Sequence, residues 1–445
     1  MRRTHTILAP QMMPLHFDLY EGAFRASGYR FDILPKVDRA AIELGLKYVH
    51  NDACYPALVV IGQQLQALAR GDYDPDTTAM LLTQTCGPCR ATNYIPLLRK
   101  ALVEAGYPQV PVLSLNSGRG DQQPGFELTL RFAERLLLAG LYGDMLMRLS
   151  NATRPYEVRK GETNALTALW LRRARSNVES PGTRIDVFRR HLGQMVRDFE
   201  AIPRDGKIRP RVGVVGEILL KYHPDANNNA VRVIEQEGGE AVVTDFNDFL
   251  LYCLNDAVYQ GKHHGGSVAA QLSNRLSVGV LEGLRDALRE ALEGTRYMPV
   301  AHIDDLERKA AQVITTGLQA GEGWLLTADM LELIDHGAPN VLCLQPFGCL
   351  PNHITGKGVI KEIKRVRPNA NIAAIDYDPG ASESNQINRI KLFMSVAHER
   401  LAETLGKAHG RQTVAAIDAD IGAAKARRAS TSGKRDTADE SLLAG

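Results

Sequence analysis

The chain has 445 residues, of which 44% are hydrophobic and 23% charged, with a formal net charge of +2. That composition is ordinary for a globular protein, and the length predicts two or three domains rather than one core. The near-neutral charge leaves no footprint for nucleic acid or an anionic membrane, and no apolar run reaches the roughly 18–20 residues of a membrane helix.

The N-terminal Met1-Arg2-Arg3-Thr4-His5-Thr6 runs into a strand-like segment without the apolar core of a signal peptide, so a cytoplasmic location is expected. Thiols stay reduced there, which makes cysteines at suggestive positions ligands or catalysts before disulfides.

The first third alternates strand and helix signals. Strands are predicted at Thr6-Ile7-Leu8-Ala9, Tyr29 to Leu34, Ala79 to Thr83 and Val110 to Leu115. Helices are predicted at Leu15–Ala26, Arg39–Val49, Ala57–Arg70 and Asn93–Ala105. The middle carries helical periodicity and almost no strand signal, with helices at 128–148, 163–176 and 185–202. A second alternation follows: strands at 211–216, 241–245, 340–344 and 371–377, with helices at 228–238, 248–259, 268–293 and 386–406. The fold class expected is α/β, with two doubly wound (Rossmann- or flavodoxin-like) parallel-sheet domains joined by a helical connector. The boundaries are 1–125 for the first domain, 126–204 for the connector, 205–407 for the second domain and 408–445 for a flexible tail.

The six cysteines are Cys54, Cys86, Cys89, Cys253, Cys343 and Cys349. Cys54 stands between two predicted helices, with Pro56 at a helix start. Cys86 and Cys89 follow a strand and precede a helix. Cys343 ends a strand, and Cys349 lies in the turn after it. In an open parallel sheet, ligands bind beyond the carboxyl ends of the strands, and helix N-termini there stabilise thiolates. Thiolates suit iron–sulfur clusters or zinc. The spacing Cys86-x2-Cys89 plus Cys343-x5-Cys349 matches neither a zinc ribbon nor a ferredoxin run; it matches a cluster clamped between domains. Cys253, after Leu250-Leu251-Tyr252 on a helix, and Cys343 are also readable as buried apolar residues. Cys86-Gly87-Pro88-Cys89 has a second reading as a dithiol oxidoreductase tetrad. The preceding strand–helix units and the Gln84-Thr85 before it are unlike thioredoxin, and this reading leaves Cys54 and Cys349 without a role.

Several segments together resemble one family: Asn51-Asp52-Ala53-Cys54-Tyr55-Pro56-Ala57, Gln84 through Tyr94, Gly213-Val214-Val215-Gly216-Glu217, Gln345-Pro346-Phe347-Gly348-Cys349-Leu350-Pro351-Asn352-His353 and Ile375 through Gly380. They resemble the 2-hydroxyacyl-CoA dehydratase-related proteins, and more narrowly the component-like part of acyl-CoA dehydratase activase-related polypeptides. The resemblance covers residues 4–405. It implies a 4Fe-4S cluster on three cysteines, or a double-cubane (8Fe-9S) cluster, in an oxygen-sensitive electron-transfer protein. It also implies a partner: a separate iron–sulfur activator that hydrolyses ATP and injects a low-potential electron, used to reduce or dehydrate a small-molecule substrate. Relatives pair as homodimers or heterodimers. The ligands that carry over are Cys54, Cys89 and Cys349; Cys86 stands where many relatives have glycine, and Cys343 and Cys253 follow as candidates. No Gly-x4-Gly-Lys-Ser/Thr phosphate loop occurs, so ATP hydrolysis is expected of the partner. A non-catalytic, activator-binding or regulatory iron–sulfur protein is the alternative.

Two further residues are candidates for catalysis: Glu217, at a turn after a strand, and His353, four residues past Cys349, as a proton donor. Asp376 and Asp378 are read as crevice carboxylates or helix caps. The His263-His264 pair is read as a solvated loop.

Overall fold

The computed structural model describes residues 1–406 except Lys36, Asn51, 84–88, 116–124, 183–184, His264 and Gly266. Residues Met1–Met394 form one compact unit; the other, Ser395–Gly445, is helical through 406. The expected flexible tail and Cys86 lie outside the described residues.

The fold is α/β with two four-stranded, all-parallel sheets. The first holds β1 (Thr6–Ala9), β2 (Arg30–Ile33), β3 (Thr78–Leu81) and β4 (Val112–Leu113) in the order β2-β1-β3-β4. The second holds β5 (Arg211–Gly216), β6 (Glu240–Val243), β7 (Asn340–Pro346) and β8 (Asn371–Tyr377) in the order β6-β5-β7-β8. In each sheet the chain grows to one side of its first strand and then crosses to the other. This reversal leaves a crevice between β1 and β3, and between β5 and β7, at the carboxyl ends. Strand β7 is buried at every position, as a central parallel strand covered on both faces must be.

Between the sheets run three helices, Leu130–Thr153, Glu162–Glu179 and Ile185–Glu200, where the sequence predicts a helical connector. Thr129 starts the first of these, its hydroxyl accepting from Phe132 N. The connector is bound to both flanks by one carboxylate. Asp144 accepts from His16 Nε2 at 2.8 Å, from Phe246 N at 2.8 Å and from Asn247 N at 3.1 Å, with both His16 and Asp144 buried. Those bonds hold the Asp144 carboxyl below the usual range despite its burial.

The periodicity leaves 294–339 unassigned, and the structure shows why. Residues Gly323–Asp335 form a helix buried all round through Leu333, so no polar face marks its period. Among the described residues, no helix is long and apolar enough to cross a membrane.

Candidate functional site

At the carboxyl ends of the strands lies a cavity of about 880 Å³, whose wall includes Cys54, Cys89, Cys349, Tyr94, Glu217 and Glu322. Each of these cysteines is the residue immediately before a helical turn, with extended backbone (φ −64°, −82° and −70°) and a side chain that does not cap its own helix.

Cys54 precedes the helix Tyr55–Ala69, which starts with Pro56 in its first turn. This helix crosses the helix Arg39–Tyr48 at a reciprocal pair of glycines. A Cβ on Gly45 would lie 2.2 Å from the Leu58 carbonyl oxygen, and one on Gly62 would lie 1.9 Å from that of Ala41. Backbone contact of this kind fixes the loop between the two helices, and Cys54 with it. Cys89 follows β3 and opens the short helix Arg90–Asn93. Cys349 follows β7, after Gly348 in the left-handed region at φ +70°. Its N–H donates to Pro346 O at 3.2 Å, closing the turn.

The two acids come from the same edge. Strand β5 ends at Gly216, whose φ of +135° and absent Cβ let it lie against the Leu344 carbonyl. The next residue, Glu217, accepts from Leu220 N at 3.0 Å, and Glu322 accepts from Ile218 N at 2.9 Å, so both carboxyls bind the start of one helix, Ile218–Tyr222. Burial pushes Glu217 up to about 8, and the neighbouring Glu322 adds to the shift; burial likewise raises Glu322. The buried Lys221, whose charge opposes the rise of both acids, has its Nζ 2.9 Å from Thr244 Oγ1 and 3.5 Å from Asp329 Oδ2.

Burial also raises the thiols. Cys54 is pushed up to about 12, opposed by a hydrogen bond with Tyr94, and Cys349 is raised by burial and then by the charge of Glu322. Burial therefore makes Cys54, Cys349, Glu217 and Glu322 hold their protons more tightly than they would in water. A cationic group bound among them would let the thiols ionise, and thiolates are the ligands of iron–sulfur cores. Among the described residues no three His, Cys, Asp or Glu side chains close on one point as a single zinc ion needs.

The other candidate residues are placed differently. Cys343 is fully buried within β7, in an apolar cluster with Val215 and Met330, and is not part of the cavity wall. Cys253 is exposed on the helix Phe246–His263 and is also absent from that wall. His353 stands beside the site: its Nδ1 donates to the Cys349 carbonyl at 2.8 Å. Asp378 lines the cavity, whereas Asp376 is paired with Lys357 at 2.6 Å. His263 stacks on Tyr259 with centroids 4.3 Å apart.

Two wall residues escape the sequence reading. Tyr94 places its hydroxyl 3.1 Å from Cys54 Sγ, and Glu322 faces Glu217. Glu322 stands between Gly321 and Gly323, both at positive φ, just before the all-round buried helix Gly323–Asp335.

Structurally the chain is a two-sheet parallel α/β protein with a cysteine-lined cavity whose wall takes residues that follow strands of both sheets. No protein-family model and no curated protein matches it.

Proposed function

We propose that this chain is the iron–sulfur component of an ATP-dependent reductase or dehydratase system, with Cys54, Cys89 and Cys349 as cluster ligands. The observation that carries the reading is their meeting on one cavity wall from positions 35 and 260 residues apart in sequence. The bound cluster would supply a low-potential electron, delivered by a separate activator ATPase. The dithiol alternative gains no support from this placement, because Cys89 shares its cavity with Cys54 and Cys349.

The cysteine placement also favours a single four-iron cluster over a double-cubane. Six thiolates would be needed for the larger cluster, yet Cys253 and Cys343 lie away from the cavity. Cys86, outside the described residues, remains the one further candidate.

The protein's own groups have separable tasks. Pro56, Gly348 and the Gly45–Gly62 crossing hold the ligand loops in place before any cofactor arrives. Tyr94 holds the Cys54 sulfur by a hydrogen bond. Glu217 retains a proton near neutral pH within the cavity, which suits it to protonate a small substrate bound there. The cavity volume lies within the range of small-molecule sites, and the exposed Phe347 and Leu350 on its wall leave it open to substrate and to a donor protein.

Anaerobic reconstitution followed by iron and sulfide assay and low-temperature EPR tests the proposal. A cluster signal lost on Cys349→Ala is expected; absence of iron from the reconstituted wild-type chain refutes it.

A further inference from the structure

Cys349, Leu350 and Pro351 line the cavity, and the next residue, Asn352, is fully buried. Neither its Nδ2 nor its Oδ1 has a hydrogen-bond partner. The other buried polar side chains around this turn are engaged. Thr355 donates to Pro351 O at 3.0 Å, Thr327 to Thr355 O at 2.8 Å and Gln345 to Asp376 Oδ1 at 2.8 Å. An amide buried without partners is a standing cost to the fold, and such groups gather at functional sites.

The shape of the turn leaves the amide in this position. His353 N–H donates to Cys349 O at 3.0 Å, which winds residues 350–352 into one helical turn. Asn352 is three residues beyond Cys349 and shares its face, and helical side chains lean back over the preceding turn. The ordinary partner of a polar side chain at this place is the backbone N–H of the residue that starts the turn. Here that N–H belongs to Cys349 and already donates to Pro346 O at 3.2 Å. The chain then continues as a π-turn, His353–Lys357, closed by Gly358 N–H donating to His353 O at 2.8 Å. Turns of this kind interrupt regular helical pairing and are frequent at functional sites.

We propose that the Asn352 amide is a hydrogen-bond donor to a sulfide of the cluster held at Cys349. The inference rests on the reading of Cys349 as a cluster ligand. A side-chain amide has what the role demands: two N–H donors, no charge and no proton to lose. Sulfide is an acceptor, and donors aimed at it favour the reduced, more negative cluster. Asn352 differs in this from Tyr94, whose hydroxyl already has the Cys54 sulfur as its partner.

Two measurements on the full-length chain test this. In the metal-free protein Asn352→Leu, of nearly the same shape and without polar atoms, should leave the urea unfolding midpoint equal or higher. In the anaerobically reconstituted protein the same variant should bind as much iron as wild type. Its reduction equilibrium should fall about tenfold, a shift of about 59 mV to more negative potential in a titration monitored by EPR. Asn352→Gln, which keeps the donor, should lie closer to wild type. A lower midpoint in Asn352→Leu, or its failure to fold, gives the amide a structural role and overturns the proposal, whether or not a cluster is present. A cluster whose potential is unchanged by Asn352→Leu, or lowered equally by Asn352→Leu and Asn352→Gln, overturns it and leaves the iron–sulfur reading standing. A wild-type chain that takes up no iron removes the reading and the proposal together.

Discussion

The sulfur of Cys54 and the hydroxyl of Tyr94 stand 3.1 Å apart, and this contact joins two cysteine-bearing segments of the cavity wall. Tyr94 opens the helix Tyr94–Glu104, five residues beyond Cys89, so the tyrosine that holds Cys54 is positioned by the turn that carries Cys89. The hydrogen bond draws the Cys54 thiol down against the upward push of burial.

Removing that hydroxyl should alter the electronics of a bound cluster without dismantling it. Hydrogen bonds to cluster sulfurs favour the reduced state. Tyr94→Phe is expected to move the reduction potential to a more negative value while iron per chain stays at the wild-type level. An unchanged potential in a redox titration monitored by EPR would remove Tyr94 from this role.

The reciprocal crossing at Gly45 and Gly62 gives a second expectation. A methyl group at position 62 would fall 1.9 Å from the Ala41 carbonyl oxygen, so the two helices must move apart. Gly62→Ala should cost about 1–3 kcal/mol or more in denaturant unfolding, the range for overpacking a tight contact. It should also weaken iron incorporation, because Cys54 sits at the end of the displaced helix. By contrast Gly71→Ala, at an open turn with φ +74°, should leave iron incorporation intact.

Acid sensitivity should centre on His223. Its ring is fully buried, and Nδ1 accepts from the backbone N–H of Asp225 at 3.2 Å and of Ala226 at 3.4 Å, an arrangement open only to the neutral ring. Burial lowers its pKa from 6.5 to about 4. The folded chain therefore binds fewer protons than the unfolded chain between those values. The stabilisation is fully present above about pH 6.5 and is lost as pH falls towards 4, by up to about 1.4 kcal/mol per pH unit. His223→Asn, which keeps an acceptor at that turn, should show a flatter fall of the unfolding midpoint over this window. Parallel wild-type and variant curves would discount His223.

Asp144 should behave as a structural anchor. It is one buried acceptor for groups from the helix Pro14–Ala26 and from the start of the helix Phe246–His263. Asp144→Ala leaves those donors unpaired in the interior and should destabilise the chain by about 3–5 kcal/mol in chemical unfolding. A loss under 1 kcal/mol would show that the three segments hold together without it.

Much of this architecture was legible in the sequence because parallel strands and amphipathic helices announce themselves. The apolar runs around Ile7, Met80, Val214 and Leu342 became central strands, and the switch to purely helical spacing after Phe126 became the connector. The helix Gly323–Asp335 stayed hidden because burial on every side erases its period, and Glu322 was hidden with it. The cysteines divide along similar lines. Loop neighbours such as Pro56 and Gly348 mark Cys54 and Cys349 as turn residues. The apolar neighbours of Cys343 already permitted a core position, and its side chain packs there. The pairing of Tyr94 with Cys54 was not legible, since it spans 40 residues and exists only once the turn after β3 meets the helix hairpin at 39–69.

The most direct measurement is iron and acid-labile sulfide per chain after anaerobic reconstitution, compared across single cysteine-to-alanine variants. The account predicts about four iron atoms per wild-type chain. It predicts a collapse of that number in the Cys54, Cys89 and Cys349 variants and retention in the Cys253 and Cys343 variants. Iron retained in Cys349→Ala, or lost in Cys343→Ala with the fold intact, would contradict it.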